Sequence, residues 1–496
     1  MIDRELKDIT KKSAFVFLGR IFGSIMGFFF SLIAARLMGA AVYGQIVYVM
    51  TIIILLTVIT KLGLSEGLVQ NISKLTTAGK LKRRNSLISF SILTVVISSS
   101  FIAIFIFIFS DFIALNILNK SQLSNLLKIM SPFLIIFTLV ELSPGIYRGI
   151  KVIRHHVIGN SLILTSLKLI SLIITGYLGY RINGLIFSYY ISFTFALIYL
   201  YYKIYKLNLL GTISKKEISS YKNLLIFSYP LFMSGLLHFF IARIDIFMIG
   251  YFLNSSDVGI YTIALKVGTL INFMLFSFNT IFAPNIASLF YNNQLEKLKR
   301  LYQVITKWIF TLNIFVFALI LLLSKEIMTV FGSEFIIGSA ALILISIGQL
   351  FNAAVGTAGS VNVMTGYPKS ELYISIIVFV LNISLNYYLI PRYGINGAAF
   401  ASLISVSVMN LARLSILYLR LKFLPYTRGY LNVIYSAFAA YLICFVIKKY
   451  ISLNYLIMII TVGLIFLLIF TTLNYIFGLE EADKMIFKAI KRKLLG

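Results

Sequence analysis

The sequence predicts an all-α integral membrane protein of about fourteen transmembrane helices, arranged as two parallel six-helix repeats with two further helices at the C-terminal end. Three observations carry this reading. The 496 residues are 60% hydrophobic and 12% charged, against the roughly one-quarter charged content of ordinary soluble domains. Long apolar runs recur from end to end with short polar breaks between them. Two of those breaks hold nearly the same residues: Tyr180-Arg181-Ile182-Asn183-Gly184 and, 213 positions later, Tyr393-Gly394-Ile395-Asn396-Gly397.

A bilayer-spanning helix needs roughly 20 apolar residues. In chain order the runs fall at approximately 14–38, 44–62, 87–109, 126–147, 157–178, 183–204, 225–253, 258–290, 304–324, 336–364, 370–390, 395–421, 430–447 and 453–477. The first follows a basic start, as a signal peptide does, but its length of about 25 residues exceeds a signal's apolar core, so it reads as a retained helix. The runs are continuous rather than alternating, which excludes a closed barrel. The longest breaks, near 63–86 and 204–224, are too small for a soluble domain.

The repeated Tyr-x-Ile-Asn-Gly string joins helices 5 and 6 in one half and helices 11 and 12 in the other. Leu37–Gly44 and Phe252–Gly259 correspond at an offset of 215, and Arg148-Gly149 with Thr365-Gly366 at 217. Glycine turns recur wherever helices hairpin, which accounts for Gly44 and Gly259 alone but poorly for a four-of-five match at a steady offset. The expected lobes are therefore 1–222 (helices 1–6) and 223–424 (helices 7–12), with helices 13 and 14 and a basic tail in 425–496. Six helices per repeat is an even number, so both copies start on the same side of the membrane.

The formal charge of +28 invites a nucleic-acid reading that its distribution rejects. With the N-terminus inside, the inner loops hold clusters such as Lys80, Lys82, Arg83 and Arg84, then Arg148, Lys151 and Arg154, then Lys203, Lys206, Lys215 and Lys216. Outer loops hold scattered residues such as Lys120, Arg181 and Lys448. This is the positive-inside pattern. It predicts a multi-pass membrane protein with both termini cytoplasmic, its basic loops facing membrane lipids. Cys444 is the only cysteine, which excludes an intramolecular disulfide and multi-thiol metal sites. There is no Asp-x-Asp, no metal-ligand spacing and no phosphate-cradling glycine loop, so no enzyme activity, metal or cofactor is expected.

Three stretches carry a family resemblance: Ala34–Gly39 through Tyr43-Gly44, then FSYPLFMSGLLHFFIARIDIFMIGYF (227–252) leading into DVGIYTIALKV (257–267), and NISLNYYLIPRYGINGAAFASLIS (382–405). They resemble the Wzx-type polysaccharide (O-antigen) flippases of the multidrug/oligosaccharidyl-lipid/polysaccharide exporter superfamily. The resemblance implies a V-shaped, two-lobe transporter working by alternating access. Its cargo would be a polyprenyl-pyrophosphate-linked oligosaccharide, moved from inner to outer leaflet of a prokaryotic cytoplasmic (inner) membrane for cell-surface polysaccharide, with polysaccharide polymerase or export proteins as partners. Lipid II flippases and MATE-type cation-coupled drug exporters are the competing relatives.

Ionisable residues inside apolar runs mark the candidate site, because each costs about 2.5–3.5 kcal/mol to insert and so faces a cavity or a partner. Lys168 lies about eleven residues into helix 5, near the midplane at the 1.5 Å rise of a helix. Arg243, Lys266, Arg20 and Arg413 are the other cations of a cavity suited to a diphosphate, which Arg grips bidentately and Lys meets as a point charge. Arg20 and Arg413 equally suit snorkelling. Asp245 and Glu141 are the buried acids. Asp245 either pairs with Lys266 or takes up H⁺ or Na⁺ to couple transport. His238 is either a proton relay or a packed polar residue. Asn279, Asn313, Asn352, Asn382, Asn386 and Asn410 either bind sugar hydroxyls or bond between helices. Pro284, deep in a long run, is a hinge candidate or a static kink.

Overall fold

The computed structural model describes residues 2–450 and 453–477, with side chains described from residue 15 onward apart from several between 273 and 284. The described residues are almost entirely helical and contain no strand. That is the outcome a lipid solvent imposes, since each helix satisfies its own backbone donors and acceptors. The chain is a multi-pass membrane protein.

It divides into two compact units, Met1–Gly259 and Ile260–Gly496. The first contains α1 (Ile2–Lys61), α2 (Leu64–Thr77), α3 (Leu81–Phe112), α4 (Ser124–Met130), α5 (Phe133–Gly149), α6 (Ile153–His156), α7 (Leu164–Tyr177), α8 (Arg181–Lys206), α9 (Ile218–Phe252) and the start of α10 (Ser255–Thr269). The second holds the rest of α10, then α11 (Phe273–Tyr291), α12 (Leu295–Thr329), α13 (Ser339–Val355), α14 (Ala358–Met364), α15 (Pro368–Leu421), α16 (Arg428–Tyr450) and α17 (Tyr455–Ile476). By packing, α9 sits with α1 and α2 in the first unit, although the repeat pattern starts its second copy near residue 223.

Ten helices among the described residues are long and apolar enough to cross a membrane, or eleven if the bent pair Ser121–Met130 and Phe133–Gly149 is one span. Fourteen were expected, and part of the difference lies in merged helices. The 60 residues of α1 would run about 90 Å, three times a hydrocarbon core. The helix is broken at Gly39 (φ 72°), between the first two expected spans. The 54-residue α15 is broken likewise at Gly394 (φ 57°), inside the second repeated turn. Between α5 and α7 the helix widens into a π-type turn at Val157–Ile163.

Faces are set by four-residue spacing. On α17 Met458, Val462, Phe466 and Phe470 are buried against α12 and α16, while Ile460, Leu464 and Leu468 are exposed on another face. In a bilayer an exposed apolar stripe is the lipid-facing side. The first unit has an aromatic core in which Phe133 packs within 5.1–6.1 Å of Phe137, Tyr189, Tyr190 and Phe193. In the second, Asn352 Nδ2 donates to Asn272 Oδ1 at 3.2 Å and Asn272 Nδ2 to Gln349 Oε1 at 2.5 Å. Such side-chain bonds tie membrane helices together where burial of apolar surface contributes little.

Candidate functional site

The first unit brings together the cations expected at mid-depth. Lys168 on α7 places Nζ 4.2 Å from the ring centre of Phe30 on α1 and 5.0 Å from that of Tyr189 on α8. The two rings meet edge to face at 5.5 Å. Arg243 on α9 and Tyr43 on α1 act electrostatically on Tyr189. Three helices, α1, α7 and α8, thus meet at one tyrosine, and α9 brings a guanidinium within its electrostatic reach. An ammonium over two aromatic faces gains about 0.5–2 kcal/mol from each, with the larger figure where water is excluded.

Arg20 belongs elsewhere. It acts on His156 together with Arg148, about 15 Å from Phe30 along α1 at the rise of a helix. Lys266 and Arg413 are in the second unit. Lys266 is exposed on α10. Arg413 is engaged by Glu371 at the start of α15: Nε and Nη2 donate to Oε2 at 2.9 and 2.8 Å. Its backbone carbonyl accepts from Asn362 Nδ2 at 3.0 Å.

Asp245 is buried, with Oδ1 accepting from the Ile246 amide at 3.0 Å. Arg243, two residues earlier, is only half-buried, so the pair sits on different faces as helical geometry requires. His238 is exposed. Glu141 on α5 lies in the field of Lys61 and Glu66, themselves ion-paired at 3.8 Å. Pro284 lies in α11, and its side chain, like that of Asn279, is outside the described residues. Asn313 and Asn410 donate to the carbonyls one turn back, Ile309 and Val406. Asn382 reaches Ser405 Oγ at 3.0 Å and Asn386 reaches Asn382.

Sequence reasoning missed Tyr189 and Phe30, because an aromatic in an apolar run carries no signal of its own. It also missed Glu371 and Glu66, which stand at helix starts and read as loop acids until depth is known.

The polysaccharide biosynthesis protein family model matches residues 9–290, and the MatE model matches residues 230–388. A probable low-salt glycan biosynthesis flippase of Haloferax volcanii, Agl15, is 29% identical over 273 residues, covering 54% of this chain and 57% of that protein. A probable flippase of the same organism, AglR, is 26% identical over 216 residues, covering 42% and 44%. The chain thus spans about half the length of these curated relatives. Among solved structures, the inward closed conformation of the lipid II flippase MurJ superposes with a TM-score of 0.70 at 18% identity, covering 97% of this chain and 99% of that one. At that identity the likeness is one of fold.

Proposed function

Since the chain belongs to the polysaccharide biosynthesis protein family, we propose that it is a flippase for polyprenyl-pyrophosphate-linked oligosaccharide. It moves this cargo from the inner to the outer leaflet of the cytoplasmic membrane by alternating access, with both termini cytoplasmic. Fourteen crossings, in lobes 1–222 and 223–424 with 425–496 appended, remain the topology on which the proposal rests. The flippase names of the two Haloferax volcanii relatives support the transport class.

The observation that carries the cargo's chemistry is Lys168 held over Phe30 and Tyr189, with Arg243 acting electrostatically on the same tyrosine. Two cations and a tyrosine suit a diphosphate held out of water, where charge-assisted bonds are strong. An exporter of organic cations needs the opposite sign. The sugars then occupy the space beyond the headgroup, and H⁺ or Na⁺ uptake, with Asp245 or Glu141 as carboxylate, supplies the driving force. No bond is made or broken, so the protein acts as a carrier rather than an enzyme.

A lipid II flippase is the second reading, favoured by the same cationic group, because lipid II also presents a pyrophosphate. Complementation separates the two. Rescue of a strain lacking a polysaccharide flippase is expected, and rescue confined to a strain lacking the lipid II flippase overturns the first reading.

A further inference from the structure

The last turn of α5 and the segment that leads from it to α7 carry Arg148, Lys151, Arg154, His155 and His156 within nine residues. The α6 turn folds this run against α5, α8 and the beginning of α1. His155 Nδ1 and the Tyr199 hydroxyl are hydrogen-bonded at 3.1 Å, and the His155 ring lies 6.0 Å from that of Tyr147. Arg154 stands 5.7 Å over the Phe15 ring and Lys203 5.8 Å over the Tyr199 ring. The charges acting on His155 are those of Lys203 and Arg154, and those acting on His156 are Arg148 and Arg20. All four are basic. His156 Nδ1 is buried with no hydrogen-bond partner.

A solvated positive-inside loop spreads its charges into water and the lipid headgroups. Here Arg20, Arg148 and Arg154 are exposed yet stand around two imidazoles, one with a buried, unsatisfied nitrogen, on a shelf of Tyr147, Tyr199 and Phe15. Gathering like charges is unfavourable unless an anion offsets them, and a phosphate matches the Arg fork and accepts from an imidazole N–H.

We propose that this cluster is a second phosphate-binding station, which receives the pyrophosphate of a prenyl lipid before it reaches Lys168 and Arg243. The inference deepens the flippase reading and rests on it. The handover distance is about 15 Å, the run of α1 from Arg20 to Phe30 at the rise of a helix.

The test uses the full chain in phosphatidylcholine nanodiscs and equilibrium binding of radiolabelled geranylgeranyl pyrophosphate. The Lys168→Ala/Arg243→Ala chain is expected to keep one binding site. Adding Arg148→Gln and Arg154→Gln is expected to weaken that site about tenfold or more, the scale of one lost charge-assisted contact. Arg148→Lys with Arg154→Lys keeps the charge without the fork and recovers part of it, which separates lost binding from lost folding. Loss of all binding in the Lys168→Ala/Arg243→Ala chain overturns the second station and leaves the central reading intact. Unchanged affinity after the two glutamine substitutions also overturns it, as does displacement by an equal mole fraction of phosphatidylglycerol, which marks a general anionic-lipid surface. If the Lys168→Ala/Arg243→Ala chain still flips its cargo, the central reading fails while the binding result at this station stands.

Discussion

Gly44 and Gly259, which correspond in sequence at an offset of 215, lie backbone against backbone. A Cβ on Gly44 would come 2.8 Å from the Gly259 nitrogen and 1.7 Å from the Ser255 carbonyl oxygen. A Cβ on Gly259 would come 3.2 Å from the Gly44 nitrogen and 2.3 Å from the Ala40 carbonyl oxygen. Ala40 and Ser255 are themselves separated by the same offset of 215. The contact is therefore reciprocal, each glycine meeting the counterpart of the residue its partner meets, as in an isologous interface. Small residues permit this approach between membrane helices.

Gly44→Ala and Gly259→Ala should each destabilise the protein by about 1–3 kcal/mol, the usual cost of overpacking, and by similar amounts. Backbone is the obstruction at both sites, so no rotamer change relieves it. Gly27 on the same helix has open space around its would-be Cβ, and Gly27→Ala should be neutral or stabilising by about 0.5–1 kcal/mol. Thermal unfolding of the three variants in one detergent checks this. A large effect at one glycine and none at the other would remove the reciprocity.

The Arg413–Glu371 pair yields a different expectation. Both side chains are mostly buried, with 23% and 17% exposure and an Nη2–Oε2 distance of 2.8 Å. Removing one partner leaves the other charge stranded, which costs up to about 3–5 kcal/mol when the pair is fully buried and less here. Arg413→Ala and Glu371→Ala should lower stability comparably. The charge swap Arg413→Glu/Glu371→Arg should recover part of it. If Arg413→Ala abolishes transport at unchanged melting temperature, Arg413 handles cargo instead.

Much of this was legible in advance. The repeated turn breaks the helix at corresponding residues, for Arg181 and Gly394, the second positions of the two strings, both have positive φ (35° and 57°). Two of the loop cations placed by the charge pattern have acidic partners in the fold. Arg83 pairs with Glu217 at 2.7 Å, and Lys448 with Glu326 at 2.8 Å. What sequence did not reveal was which buried cations share a site. Depth along a helix follows from counting, but azimuth depends on helix packing, and a one-residue rotation turns a side chain by about 100°. Lys168 and Arg413 were both candidate cavity cations, yet one faces two aromatic rings and the other a carboxylate.

Lys120, in the break after α3, donates through Nζ to the Leu253 carbonyl at the C-terminal end of α9. A cation there complements the helix dipole and satisfies an orphan carbonyl. Burial lowers the Lys120 pKa, while Asp257 acts to raise it. Lys120→Met keeps the apolar stem and loses the cap, so it should cost about 1–2 kcal/mol. Lys120→Arg should retain most of the stability. Differential scanning fluorimetry of the two variants decides it; equal melting of Lys120→Met and wild type would mean that water replaces the ammonium without cost.

Lys168 and Arg243 carry the sharpest functional expectation, because two cations on one aromatic cluster in lipid suit an anionic headgroup. Lys168→Ala or Arg243→Ala should lower flipping of lipid-linked oligosaccharide in proteoliposomes by about tenfold or more each, if each loses one charge-assisted contact. Both should insert and fold. Lys168→Arg should retain activity better than Lys168→Met, although Met preserves packing on Phe30, since only the charge meets phosphate. Tyr189→Phe keeps the ring under Lys168 and removes the hydroxyl on which Arg243 acts, so it should fall between wild type and Lys168→Ala. If Lys168→Met flips as well as Lys168→Arg, the ammonium serves the Phe30–Tyr189 packing and the headgroup is held elsewhere.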